Sequence, residues 1–137
     1  ARVTVFTNSL KAALLLQEGG VRTYLLGGRV RASSGAVTGA WALAQLAQIR
    51  VQKAFLGTSG FSGRRGPCIE SFEEAQVKQA MMASAEQKIL LGDSSKARAS
   101  TMLQFARWEE MDLFITDAAL EGGARREIER YVKVMTV

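Results

Sequence analysis

Six short apolar runs, separated by longer stretches of helical spacing, limit how this chain of 137 residues can fold. The runs are Val3–Phe6, Arg22–Leu26, Lys53–Leu56, Lys88–Leu91, Leu113–Thr116 and Val132–Val137. They are rich in Val, Ile, Leu and Phe and sit between turn residues, the pattern of buried strands. After the first run, Asn8 or Ser9 supplies an N-cap, and Leu10, Ala13, Leu14 and Gln17 follow at helical spacing. Gly39 to Ile49 is rich in Ala and Leu around Trp41. Ser71-Phe72-Glu73-Glu74 fits a capping box ahead of a helix that continues to Ala85. A last helix is expected from Ala124 to Tyr131, after Gly122-Gly123. This alternation predicts an α/β fold with a mostly parallel sheet of about six strands, helices on both faces and right-handed crossovers.

The length suits one domain spanning 1–137, large enough to fold around a core without staples. No stretch reaches the roughly 18 apolar residues of a membrane span, and no charged leader precedes an apolar block. A soluble, cytoplasmic protein that does not engage a membrane is the expectation. Cys68 is the only cysteine, so an intrachain disulfide is excluded, in keeping with a reducing compartment. The chain has no histidine. That excludes Ser-His-Asp and Cys-His catalysis and argues against a zinc site, so no metal and no cofactor are expected.

The net charge is +5. The cations fall in separated pairs, Arg29 with Arg31, Arg64 with Arg65, Lys96 with Arg98 and Arg125 with Arg126, never in a run of five. That spread reads as a solvated face rather than a nucleic-acid stripe. A few cations set among glycines and hydroxyls suit an anionic small molecule instead.

Small, hydroxyl and charged residues gather where the runs end. These ends are Thr7-Asn8-Ser9, Gly27-Gly28-Arg29, Gly57-Thr58-Ser59-Gly60, Gly92-Asp93-Ser94-Ser95-Lys96 and Thr116-Asp117. In a parallel sheet such ends lie on one edge, where ligands bind. Glycines let backbone N–H groups approach a phosphate, and hydroxyls donate and accept. Lys96 adds a compact positive charge, and Asp93 and Glu74 can accept from sugar hydroxyls. A phosphorylated polyol fits these types; no Walker loop or dinucleotide fingerprint is present. Taken singly, each piece also has a plainer reading. Gly27-Gly28 can be a turn, Asn8, Ser9, Asp93 and Asp117 caps, Glu74 part of the capping box, and Lys78 solvated. Met81-Met82 reads as core, Trp41 and Trp108 as core or subunit contact, and Cys68 as inert.

Thr7-Asn8-Ser9-Leu10, Leu26-Gly27-Gly28, Ala54-Phe55-Leu56-Gly57, Glu74-Ala75-Gln76-Val77-Lys78, Leu91-Gly92-Asp93-Ser94-Ser95-Lys96 and Phe114-Ile115-Thr116-Asp117 follow one another along the chain. In this order and spacing they resemble the C-terminal effector-sensing domain of DeoR-family bacterial transcription regulators. The resemblance covers nearly the whole chain. It implies a fold like that of ribose-5-phosphate isomerase and a phosphorylated sugar or related metabolite as effector. It also implies homo-oligomers and a preceding winged helix-turn-helix that binds operator DNA and is absent from this chain. Effector binding would change operator affinity, most often relieving repression of sugar-metabolism genes.

Carried over by position, the resemblance places Asn8 and Ser9 in the first phosphate-binding loop. Gly28 and Arg29 border the second loop, and Thr58, Ser59 and Gly60 form the third. Glu74 and Lys96 correspond to an acidic base and a lysine of the isomerases, and Lys78 lies one helical turn beyond Glu74. With Asp93 these are the expected ligand-binding residues. The family usually has an aspartate just before the Ala-Phe-Leu-Gly run. Here Gln52 stands there, ahead of Lys53, and argues against residual isomerase activity. The expected role is therefore sensing without turnover. One alternative is a sugar-phosphate isomerase-like enzyme with Glu74 as base and Lys96 stabilising an enediolate. Another is an assembly module using Met81, Met82 and apolar helix faces.

Overall fold

The computed structural model describes residues 2–97, 101 and 103–137; Arg98, noted above among the paired cations, lies outside them. The chain divides into two units, Ala1–Ile49 and Arg50–Val137.

In the first unit, β1 (Thr4–Thr7) and β2 (Arg22–Leu25) pair in parallel, from Thr4 opposite Arg22 to Thr7 opposite Leu25. The crossover is α1 (Leu10–Glu18), capped by Ser9, whose Oγ accepts the Ala12 N–H at 3.2 Å. Phe6 and Tyr24 stack across the pair, their centroids 4.9 Å apart. A hairpin of β3 (Arg29–Arg31) and β4 (Ala36–Thr38) follows. No periodicity in the sequence announces it. It precedes α2 (Ala40–Leu46). The helix expected to reach Ile49 stops at Leu46 and tightens into two turn bonds, Gln48 N–H to Gln45 C=O at 3.1 Å and Ile49 N–H to Leu46 C=O at 3.2 Å. Trp41 on α2 is 77% exposed, so the core role weighed for it is excluded.

In the second unit, β5 (Val51–Leu56), β7 (Ala85–Leu91), β9 (Leu113–Thr116) and β10 (Val134–Thr136) form a parallel sheet in the order β10-β9-β7-β5. Two further strands, β6 (Cys68–Ile69) and β8 (Leu103–Gln104), pair antiparallel beside it. Helix α3 (Phe72–Ser84) packs on β5 and β7, and α4 (Gly122–Glu129) packs on β10. All six expected strands therefore form, four of them in this α/β sheet and two in the first unit's pair.

The caps explain where the helices begin. Ser71 Oγ accepts the Glu74 N–H at 3.2 Å, as the capping-box pattern requires of the serine. Glu121 accepts from Gly123 N–H at 2.8 Å and Ala124 N–H at 3.2 Å, so α4 starts at Gly122 rather than at Ala124. The core centres on three rings. Phe61 meets Phe114 edge-on at 4.9 Å and Trp108 at 6.0 Å, and Trp108 lies 5.0 Å from Phe114. The indole N–H of Trp108 donates to the Ser62 carbonyl at 2.7 Å, which keeps this buried polar group satisfied. Met82 is buried in the same core and Met81 packs against it, which removes both from the interface weighed for them.

Among the described residues, no helix is long and apolar enough to cross a membrane, and no group of three His, Cys, Asp or Glu side chains is placed to hold a metal ion.

Candidate functional site

Because β5, β7, β9 and β10 are parallel, their carboxyl ends share one edge of the second unit. The loop after β7, Gly92 to Lys96, lies between the loops after β5 and β9, and hydrogen bonds tie it to both. Gly92 N–H donates to the Ile115 carbonyl at 3.2 Å, and Ser94 N–H to Asp117 Oδ2 at 2.8 Å. On the other side, Phe61 N–H donates to the Lys96 carbonyl at 3.1 Å. Gly92 is held to glycine by crowding, because a Cβ there would lie 2.9 Å from Thr58 Cγ2.

The loop after β5 is built around one hydroxyl. Thr58 Oγ1 lies 2.7 Å from the Gly60 carbonyl and 3.0 Å from the Cys68 carbonyl, and it accepts from Cys68 N–H at 3.2 Å. Ser59 N–H donates to the Cys68 carbonyl at 3.0 Å, and Cys68 N–H donates to the Gly60 carbonyl at 2.9 Å. Thr58 and Gly60 thus hold the loop against β6. Cys68 is a buried thiol in that arrangement, donating to the Gly60 carbonyl at 3.2 Å.

Lys78 reaches this edge from the second turn of α3, and Glu74 stands one turn before it. Glu74 is 8% exposed. Lys78 Nζ donates to the Gly57 carbonyl at 2.9 Å and sits 5.4 Å from the Phe105 ring centroid. Burial pushes the Lys78 ammonium below the usual lysine range, and the nearby Glu74 carboxylate opposes that shift. A lysine bonded to a strand-end carbonyl positions the loop. Lys96 is different. It is half-buried at the end of a short 3-10 turn, Ser94–Lys96, and its charge acts on Asp93.

Asp93 and Asp117 both act as local caps. Asp93 Oδ1 accepts from the Ser95 hydroxyl and from Ser95 N–H, and these bonds hold its carboxyl below the ordinary range. Asp117 is lowered by the Ser94 N–H first, and its Oδ1 also accepts from Ala119 N–H at 2.9 Å. A carboxylate with a lowered folded value stabilises fully above the ordinary aspartate value and loses that contribution as pH falls through the lowered one. The edge is therefore expected to stay ordered down to about pH 4 and to loosen below it. Amide exchange at Ser94 and Ala119 against pH measures this. Asp117→Asn should flatten the acid limb, and an unchanged limb in that variant would assign the loosening elsewhere.

The expected residues of the first unit gather along β4. Asn8 Nδ2 donates to the Val37 carbonyl at 3.1 Å, and Val37 N–H donates to the Asn8 carbonyl at 2.7 Å. Arg29 pairs with Thr38 in the hairpin. Gly28, at φ +151°, leaves no room for a side chain, since a Cβ would lie 2.6 Å from the Thr38 carbonyl oxygen. Ser9 caps α1. So β4 joins the loops after β1 and β2, a junction that depends on the hairpin.

Residues 1–118 match the family model described as the DeoR C terminal sensor domain. The chain belongs to the DeoR sensor-domain family. Among curated relatives, it is 35% identical over 123 residues to the HTH-type transcriptional regulator GlpR of Haloferax volcanii, covering 90% of this chain and 48% of the relative. It is 36% identical over 115 residues to the HTH-type transcriptional repressor GlcR of Bacillus subtilis, covering 83% and 44%. It is 32% identical over 138 residues to a lactose phosphotransferase system repressor of Staphylococcus epidermidis, covering 98% and 54%. The chain spans about half the length of these curated relatives. All three relatives of this DeoR sensor domain are named as regulators or repressors, none as an enzyme.

Within the DeoR sensor fold, Gln52 does not stand where the expectation drawn from it requires. Gln52 is exposed near the amino end of β5, five residues before Gly57. At about 3.3 Å per residue that is roughly 16 Å from the carboxyl edge. It therefore bears on neither ligand reading nor catalysis at that edge.

Proposed function

We propose that this chain is the effector-binding part of a DeoR-family transcriptional regulator. Its effector is a phosphorylated sugar, taken at the carboxyl edge of β5, β7 and β9. The full regulator binds operator DNA through a winged helix-turn-helix outside this chain, works in the cytoplasm as a homo-oligomer, and changes operator affinity when the sugar binds. It senses and does not turn its ligand over. One observation carries the reading: the loops after β5, β7 and β9 are tied together by hydrogen bonds at one edge, and the middle loop carries Lys96 among small and hydroxyl residues. Such an edge suits a phosphate with a polyol attached. The names of the relatives support the regulatory part, and one of them is named for a lactose phosphotransferase system.

Sensing requires that the sugar bind one state of the regulator better than the other. A panel of ribose 5-phosphate, glucose 6-phosphate, fructose 1-phosphate and fructose 6-phosphate is expected to contain a sugar that raises the melting midpoint. A ligand at a hundred times its Kd adds about 2.7 kcal/mol to the folded state. No shift with any of them at millimolar concentration would remove the phosphosugar. Conversion of ribose 5-phosphate in a coupled isomerase assay would favour the enzyme reading instead.

A further inference from the structure

Thr116 ends β9 at the same edge, directly before Asp117. It is 3% exposed, and its Oγ1 has no hydrogen-bond partner among the described residues. Its neighbours are already committed. The Asp117 carboxylate holds Ser94 and Ala119 N–H groups, and the Thr58 hydroxyl holds the loop after β5. Thr116 alternates with Ile115 and so shares the face of the fully buried Phe114. In register it stands opposite Thr136 of β10 and, one step beyond the Leu91–Ile115 pair, beside Gly92. Gly92 presents no side chain on that flank.

A buried hydroxyl without a partner costs stability and calls for an explanation. The fold does not need it, because valine has the same shape, the same branching at Cβ and a high preference for strands. A hydroxyl that both donates and accepts is matched by another hydroxyl. The phosphate is better served by the Lys96 charge, which leaves Thr116 for the uncharged part of the ligand.

We infer that Thr116 reads a hydroxyl of the bound sugar, its Oγ1 gaining in the complex the hydrogen bond it lacks in the free protein. This rests on the phosphosugar reading above. The test is calorimetric titration of the full chain, as parent, Thr116→Val and Thr116→Ser, with the four sugar phosphates named above, together with ligand-free melting curves. Thr116→Val should melt at or above the parent, since it removes an unpaired buried group, and should bind the tightest of the four about tenfold more weakly or worse. Thr116→Ser should stay within about threefold of the parent, because it keeps the hydroxyl. If the parent binds and Thr116→Val binds within about twofold of it, Thr116 does not read the sugar and the phosphosugar reading survives. A ligand-free Thr116→Val that melts below the parent would show that a trapped water already satisfies the hydroxyl, which also overturns the inference. If none of the four sugars binds the parent, the phosphosugar reading falls and takes this inference with it.

Discussion

Phe114→Ala is expected to destabilise the Arg50–Val137 unit by about 3–5 kcal/mol, the range for emptying a buried aromatic site. Phe114 is fully buried and lies within 5.0 Å, centroid to centroid, of both Phe61 and Trp108. Two large rings cannot close the gap left by a third without leaving their rotamers, so relaxation recovers little of the loss. The ring also lies beneath the candidate edge, with Cε1 3.6 Å from where a Gly92 Cβ would be. The same variant should therefore bind ligand more weakly even where it is still folded. Denaturant midpoints measure the first effect. Trp41→Ala is the contrast: at 77% exposure it should stay within about 0.5 kcal/mol of the parent. Equal losses for the two would mean that the three-ring cluster is not what holds the unit together.

Lys96→Ala should carry the largest loss of phosphosugar affinity while the protein stays folded. A hydrogen bond to a charged group is worth about 1.5–3 kcal/mol, which corresponds to roughly ten- to a hundredfold in Kd. Its backbone role does not depend on the side chain, because the Phe61 N–H bond goes to the Lys96 carbonyl. The melting midpoint without ligand should therefore hardly move. Lys78→Met should behave in the opposite sense: Lys78 Nζ bonds to the Gly57 carbonyl, so its loss loosens a loop before it touches any ligand. Indistinguishable affinities for Lys96→Ala and parent would take Lys96 out of the site.

The parallel strands were legible because their apolar runs end in turn residues and helical spacing lies between them. The smaller pieces were not. Arg29-Val30-Arg31 and Ala36-Val37-Thr38 are too short to show a period, and their hairpin exists through pairing across a turn closed by Gly35 N–H to the Arg31 carbonyl. Cys68–Ile69 is shorter still and finds its partner far along the chain. Helix α4 began early because two glycines hid its first turn, while its cap was a glutamate rather than one of the commoner short capping side chains.

At the site, residue types identified the loops but not the division of labour inside them. Residue type marks Thr58 and Lys78 as candidate ligand contacts; the fold also engages Thr58 Oγ1 with its own loop and Lys78 with the Gly57 carbonyl. Gln52 adjoins the Ala-Phe-Leu-Gly run in sequence, but the extended strand puts it at the opposite end of β5 from Gly57. The isolation of the Thr116 hydroxyl depends on burial and on what its neighbours already bond, neither of which is written in the sequence.

The contact between Gly92 and the Thr58 methyl carries a consequence for how this edge can diverge. The two positions share one small volume, so neither can drift alone. A descendant with alanine at 92 should carry a compensating serine or glycine at 58. Paired substitutions at these sites, set against changes in preferred sugar, would mark where one regulator turned into another.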